Sequence, residues 1–370
     1  MNALYPMTPT YHLSLWQKRQ AAMLYHYSSQ SYLDALLPKI EELIVMAEML
    51  LERRSILDPL MVSERWGVRD TAANWSTGGF PALIAYRQST MWHMAKRADQ
   101  CYGITGTNQC AHMLGEFSMQ WATAEQEKAF RKRAEQVFRY GYDIDGVMQR
   151  SWNDAVFWFA WQEVKEHFPQ LPKFKVHLDI EGETGKVPVR TGVYIPQDDP
   201  NGALQFGWIG GGEGFFKPLE ECQTFNEIGL EALSSVGRAK LWVDASAMLN
   251  FVRQPRHANV FPYSEDPAYY QLGNKIFTER PCKWYFVELL EGEFEDSDPD
   301  AMADAPGSEP QHPPRKASGE PCPHAGWWFS PAREGSRQYF RDGAIFPKLE
   351  GDYGYTFWLW SPDQSRPTLC

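Results

Sequence analysis

A chain of 370 residues that is 43% hydrophobic and 22% charged has room for one large or two medium domains, each with a real core. Its formal net charge of -11 argues against unspecific nucleic-acid binding, which needs Lys and Arg to displace counterions from phosphate. The same charge permits an acidic surface that docks a basic partner.

The cysteines Cys101, Cys110, Cys222, Cys282, Cys322 and Cys370 are scattered, without a CxxC pair, so no disulfide framework is expected. Pro6, Pro9, His12 and Lys18 interrupt the start of the chain, and no apolar run approaches the length of a membrane span. The expectation is a reduced, soluble, cytoplasmic protein that needs no membrane.

Residues 12 to about 170 read mainly as helices. Tyr32, Leu33, Leu36, Leu37, Ile40, Leu43, Ile44, Ala47, Leu50 and Leu51 recur at three- and four-residue spacing. Pro38 interrupts that run, so either a helix begins near it or its first turn is distorted. A second helix is predicted over 79–98 with Pro81 in its first turn, and a shorter one over 111–121. Thr123 followed by Gln126 is a capping-box pattern that opens a helix to about Tyr140. A last helix over 144–168 is stopped by Pro169 and Pro172.

Beyond Pro172 the pattern changes. Phe174 to Ile180 alternates at period two, Val187 to Ile195 less cleanly, and Asp198 to Gly202 reads as a turn before a run over 203–209. Residues 223–233 suit a helix, 239–250 suit either strand or helix, and 282–290 form a strong strand candidate. Between 291 and 320, Glu291, Glu293, Glu295, Asp296 and Asp298 open an acidic and Pro-rich stretch with little to pack. It reads as an exposed insertion within one β-rich domain, or alternatively as a linker. The fold class expected is therefore α+β, with an all-α, bundle-like domain over 1–172 and a β-rich domain over 173–370.

Known catalytic lettering is missing. Gly210 to Gly214 lacks the Lys-Ser/Thr of a phosphate loop and the spacing of a dinucleotide fold, so it reads as a turn or rim. Cys110 with His112, and Cys322 with His324, each offer two possible ligands where zinc needs three or four. Asp143 and Asp145 suit the capping of the last predicted helix, or the acids of a hydrolase. No metal, cofactor or catalytic residue is assigned from these patterns.

The most specific lettering lies at the C-terminal end, with four Trp and seven Tyr or Phe between 326 and 360. Alternation places Trp327 with Phe329, and Trp358 with Trp360, on a face expected to be buried, in company with Trp284 and Phe286. A short helical turn would aim Ser336 and Arg337 outward. Ser336, Arg337 and Tyr339, with the acids Glu291, Glu293, Glu295, Asp296 and Asp298, are the candidate partner-binding residues, since Arg and aromatic side chains dominate interface hot spots.

These blocks, Gly326 to Ala332, Ser336 to Phe340, Gly343 to Pro347, Asp352 to Trp360 and then Asp363-Gln364, resemble the bacterial immunity proteins of the paired families numbered 71 and 72. Those families occur in polymorphic-toxin and type VI secretion loci. Ser330 stands where Thr is usual, and Phe357 where a smaller aliphatic is common. The resemblance implies a cytosolic protein that binds and neutralises a cognate toxin encoded beside it, with no catalytic residues to carry over. Two other expectations stand beside it: a hydrolase that reverses a toxin's modification or acts on a glycan, and an adaptor that loads a secreted effector.

Overall fold

In a computed structural model of the protein, the residues described are 11–52, 71–210, 217–261, 272–273, 275–295, 315–323, 325–330, 333, 336–348 and 357–360. An N-terminal helical region is followed by a region with β-sheets. Packing divides the chain into two units, Met1–Gln223 with Glu279–Ser297, and Thr224–Thr278 with Asp298–Cys370. The change from helix to strand at residue 172 thus falls inside the first unit and does not separate two domains.

Helix α1 (Leu15–Ser28) opens with a capping box, in which the Ser14 hydroxyl accepts from Gln17 N while the Gln17 side chain accepts from Ser14 N. Helix α2 (Gln30–Asp34) is one short turn. Helix α3 (Leu36–Glu52) then starts with Pro38 in its first turn, where a missing N–H costs nothing. Helix α4 (Ala72–Lys96) begins seven residues before the predicted start, because the Thr71 hydroxyl caps it by accepting from Asn74 N. Pro81 therefore lies inside the helix and deprives the Thr77 carbonyl of its helical donor. Helix α5 is Thr107–Gly115.

Helix α6 (Ala124–Gln149) carries the predicted capping box at Thr123 and Gln126 but continues past Tyr140, so Asp143 and Asp145 lie within it and do not open a helix at 144. It ends at Arg150, which takes the left-handed conformation (φ 57°) although it is not glycine. Three backbone carbonyls hold it there. Its guanidinium donates to Phe206 O at 2.9 Å, to Lys217 O at 3.1 Å and to Pro218 O, and it stacks on Trp208 at 4.6 Å. Helix α7 (Asp154–Val164) restarts behind the Asn153 cap.

The first sheet has the order β1-β6-β2-β3, built from β1 (Pro172–Glu183), β2 (Gly192–Pro196), β3 (Gln205–Gly207) and β6 (Lys283–Phe294), with every pair antiparallel. Val287 of β6 lies opposite Val176 and Val193, and Phe286 lies opposite His177 and Tyr194. Parity then sorts the side chains. Val193, Ile195 and Val287 join the core of the helices, while Tyr194, Trp284 and Phe286 form a second cluster with Leu219, Cys222 and Cys282. With both faces covered, β2 is buried at all five positions, and this is why its alternation was weak in the sequence.

A two-stranded ribbon joins β4 (Cys222–Phe225) and β5 (Phe277–Arg280). Between them run α8 (Glu227–Val236), α9 (Arg238–Leu241) and α10 (Ala245–Val252), so the segment 239–250 is helical. The second four-stranded sheet has the order β7-β10-β8-β9, from β7 (Arg315–Ala317), β8 (Gly326–Phe329), β9 (Gln338–Phe340) and β10 (Phe357–Trp360). At its ends the predicted acidic insertion gives way to structure, since Glu291 and Glu293 belong to β6 and 315–317 to β7. Asp296, Asp298 and the rest of 296–314 lie outside the described residues.

Helix α1 is tied to the sheet by Tyr25, whose hydroxyl donates to Val287 O at 2.5 Å and accepts from Val193 N at 3.4 Å. Replacing Tyr25 with Phe leaves a buried carbonyl short of a donor and should cost about 1–2 kcal/mol. Urea unfolding that shows a lower midpoint at an unchanged slope is the expected result.

Candidate interaction surface

The C-terminal sheet sorts its aromatic residues by register. Trp328 pairs with Trp360 and Gln338, while Trp327 pairs with Tyr339, and Leu359 with Phe329. The inner face carries Trp328, Phe340 and Trp358, which pack with Phe346 and Cys322 into one buried cluster. Trp358 stacks on Phe346 at 5.6 Å and donates its indole N–H to Pro347 O at 3.0 Å. Trp358 is buried as expected, but its partner is Trp328 and not Trp327 or Phe329. Trp284 and Phe286 are buried too, in the separate cluster of the first sheet. The Trp360 side chain lies outside the described residues.

The opposite face carries Trp327, Phe329, Tyr339 and Leu359. Phe329 is buried, whereas Trp327 is half-buried and Tyr339 is 54% exposed. The Arg337 guanidinium lies over the Trp327 ring at 4.5 Å, and Tyr339 meets the same ring edge-on at 5.8 Å. Arg337 and Tyr339 are i and i+2 on an extended run, so they share a face without the helical turn that the sequence suggested. Ser336 has a different role. Its hydroxyl donates to Ser330 O at 2.7 Å and accepts from Ser330 N at 2.8 Å, clipping the loop before β9 to the end of β8.

The acidic candidates are also sorted. Glu291 and Glu293 are exposed on the end of β6, whereas Glu295 is committed to an ion pair with Lys18 of α1 at 2.7 Å. Glu291, Glu293 and Glu295 belong to the first unit, and the Arg337 face to the second.

Asp145 is buried and accepts from Thr105 N at 2.5 Å and from Thr105 Oγ1 at 2.8 Å, while Thr107 bonds Tyr86. Gly141 makes room for this network, since a Cβ there would lie 2.2 Å from Thr107 Oγ1. Burial pushes the Cys110 thiol up to about 12, and His112 is exposed beside Glu116. Cys322 is a buried core thiol, and His324 lies outside the described residues. Gly210 is required for space, because a Cβ would sit 2.1 Å from the Asp99 carbonyl, while 211–216 lie outside the described residues. No group of three or more His, Cys, Asp and Glu among the described residues is placed to hold a metal ion, and no helix among them is long and apolar enough to cross a membrane.

Asp143 is strongly perturbed. It accepts from the Tyr32 hydroxyl at 3.1 Å, Tyr32 stacks on Tyr140 at 4.1 Å, and His26 meets Tyr32 edge-on. Burial drives the Asp143 carboxyl up to about 7, with nearby Glu163 adding to the shift and the Tyr32 hydrogen bond and Arg139 opposing it. Against family models, curated proteins and solved structures, the chain has no match in any of the three comparisons.

Two predictions follow from these packings. Trp358→Ala removes the centre of the inner cluster and should cost about 3–5 kcal/mol, measured by chemical denaturation. For Asp143, the folded state holds a proton between about pH 4 and 7 that the unfolded chain has released, so wild-type stability falls as pH rises through that window. Asp143→Asn abolishes this dependence. Its stability relative to wild type should rise by on the order of 1–3 kcal/mol from pH 5 to pH 8.

Proposed function

We propose that this chain is an immunity protein that binds and neutralises a cognate secreted toxin in the cytosol. The observation that carries the reading is the Arg337–Trp327–Tyr339 face. A cation, an indole and a phenol are held side by side on a sheet whose other face is locked by Trp328 and Trp358. These are the residue types that dominate protein–protein hot spots, and a rigid support lowers the entropy lost on binding. The resemblance of the blocks at 326–332, 336–340, 343–347 and 352–360 to the immunity families supports the same reading, because Trp327, Arg337 and Tyr339 lie in the first two of them. Exposed Glu291 and Glu293, with a net charge of -11, suit a basic partner.

The hydrolase reading draws on Asp143, since a carboxyl near 7 has the poise of a general acid. That carboxyl is held by the Tyr32 hydroxyl, and it lines neither the groove of about 490 Å³ around Arg150 and Lys217 nor that of about 410 Å³ around His93. Binding is therefore the reading that the geometry supports better.

The test is co-expression with the product of the adjacent gene, which should restore growth and yield a co-purifying complex. Unrelieved toxicity without a complex for any neighbouring product rejects immunity, and a complex without growth rescue favours the adaptor. Arg337→Ala should weaken the complex about tenfold or more while costing the free protein no more than about 1 kcal/mol. Calorimetric titration and a thermal melt separate the two effects.

A further inference from the structure

Two cysteines far apart in sequence meet at one end of the β4–β5 ribbon. Asn226 N, just past β4, donates to Ile276 O, just before β5, at 2.9 Å, so the two strands run antiparallel. The other end of the ribbon brings the start of β4 to the end of β5, where Cys222 and Cys282 stand. Both are free thiols, 0% and 9% exposed, and they share one cluster with Leu219, Tyr194, Trp284 and Phe286. The Cys222 thiol is hydrogen-bonded to the Cys282 side chain, and that bond together with burial pushes the Cys222 thiol up. Cys222 is thus the donor that keeps its proton, and the bond it gives favours Cys282 as the thiolate of the pair.

The backbone holds this meeting in place. Thr184 Oγ1 accepts from Cys282 N at 3.1 Å and donates to Glu220 O at 3.1 Å, while Ala203 N donates to Gln223 O at 2.8 Å. Cys110 and Cys322 lie in other clusters, each without a second cysteine among the described residues. The groove of about 490 Å³ runs past the pair. Thr184, which bonds Cys282, Glu221 and Gln223, which flank Cys222, and Leu219, which packs against the thiols' cluster, all line it. The thiols therefore lie one layer behind its wall. Glu220, Glu221 and Glu279 make the groove acidic, since Lys217 is paired with Glu220 at 2.5 Å and the Arg150 guanidinium is committed to carbonyls.

We propose that Cys222 and Cys282 are a hydroperoxide-sensing dithiol that closes into a disulfide, making residues 223–281 a covalent loop. Cys282, the more accessible of the two, attacks as the thiolate. Its S–O bond forms as the O–O bond of the peroxide breaks, and the leaving hydroxide takes up the proton that Cys282 released. The Cys222 sulfur then attacks the sulfenic sulfur. The S–S bond forms, the S–O bond breaks, and the Cys222 proton departs with that oxygen as water. Two thiols lose two electrons, and hydrogen peroxide is reduced to two waters. The oxidant class follows from the site: a small neutral peroxide can reach a sulfur behind the wall, whereas glutathione disulfide is bulky and repelled by the three carboxylates. Because β4 and β5 lead into and out of the segment that carries α8, α9 and α10, the disulfide ties the two ends of that segment together.

The test exposes the full chain, folded and in urea, to hydrogen peroxide or to glutathione disulfide, blocks remaining thiols by alkylation and maps unreduced peptides by mass spectrometry. Peroxide should remove two hydrogens from the folded chain and join the peptides of Cys222 and Cys282, at least about tenfold faster than in the unfolded chain. Glutathione disulfide should leave both thiols free. Cys222→Ser should stop the reaction at a Cys282 sulfenic acid that dimedone traps, and Cys282→Ser should leave Cys222 unmodified. Should a Ser variant fail to fold, the wild-type rates decide the matter. Oxidation of Cys282 beyond the sulfenic stage without a disulfide, a glutathione adduct on either cysteine, or modification of Cys222 in Cys282→Ser overturns the proposal. So does a Cys222–Cys282 bond that forms no faster in the folded chain than in urea, or another intramolecular pair that forms as readily.

Discussion

Helix α1 must bury nearly its whole surface, and the rest of the first unit is arranged around that demand. Trp16, Gln17, Arg19, Gln20, Ala21, Ala22, Met23, Leu24, Tyr27 and Ser28 are all buried in one helix. The apolar members need only volume, but the polar ones need particular partners in place. Trp16 donates to Asp154 of α7 at 2.8 Å, Gln17 to the Pro200 carbonyl at 3.2 Å, and Gln20 accepts from Leu204 N at 3.0 Å. Arg19 lies over Trp161 at 5.0 Å, and Tyr25 reaches Val287. Each bond fixes a different element, so helices and sheet acquire one mutual geometry.

That geometry waits on a distant piece of chain. Strand β6 lies between β1 and β2, although about ninety residues separate it from β2 in sequence. It contributes Val287 to one core and Trp284 with Phe286 to the other, so the sheet has no centre without it. Glu295, just past its end, closes the arrangement by pairing with Lys18 of α1. The acidic residues at this point therefore serve two ends, one holding the fold and the others facing solvent.

In the second unit the same economy appears on a smaller sheet. Neighbouring tryptophans in β8 are assigned opposite tasks by strand parity alone, Trp328 to the core and Trp327 to a surface shared with Arg337 and Tyr339. A core of Trp328, Phe340, Phe346 and Trp358 is rigid enough to hold that surface in one shape. An adaptable polar contact would not require so much buried aromatic area beneath it.

Local signals were legible wherever the deciding physics is local. The Thr123 capping box, the single apolar stripe of α3, the turn at Asp198 to Gly202 and the long strand after Cys282 all stand as read. The helical turn expected to aim Ser336 and Arg337 outward is absent, and Ser336 is bonded to Ser330 instead. Helix α1 shows no single apolar face, since it is wrapped on every side and its polar residues find partners far away in sequence. The break at Arg150 was invisible for the same reason, as three remote carbonyls hold a conformation that the residue would otherwise avoid. Which of two adjacent tryptophans turns inward, and which two of the scattered cysteines meet, depended on register and on the pairing of distant strands. Composition and periodicity determined the elements and their apolar faces, while tertiary packing decided the partners of the buried polar groups, because a hydrogen bond between distant residues leaves no period in the sequence.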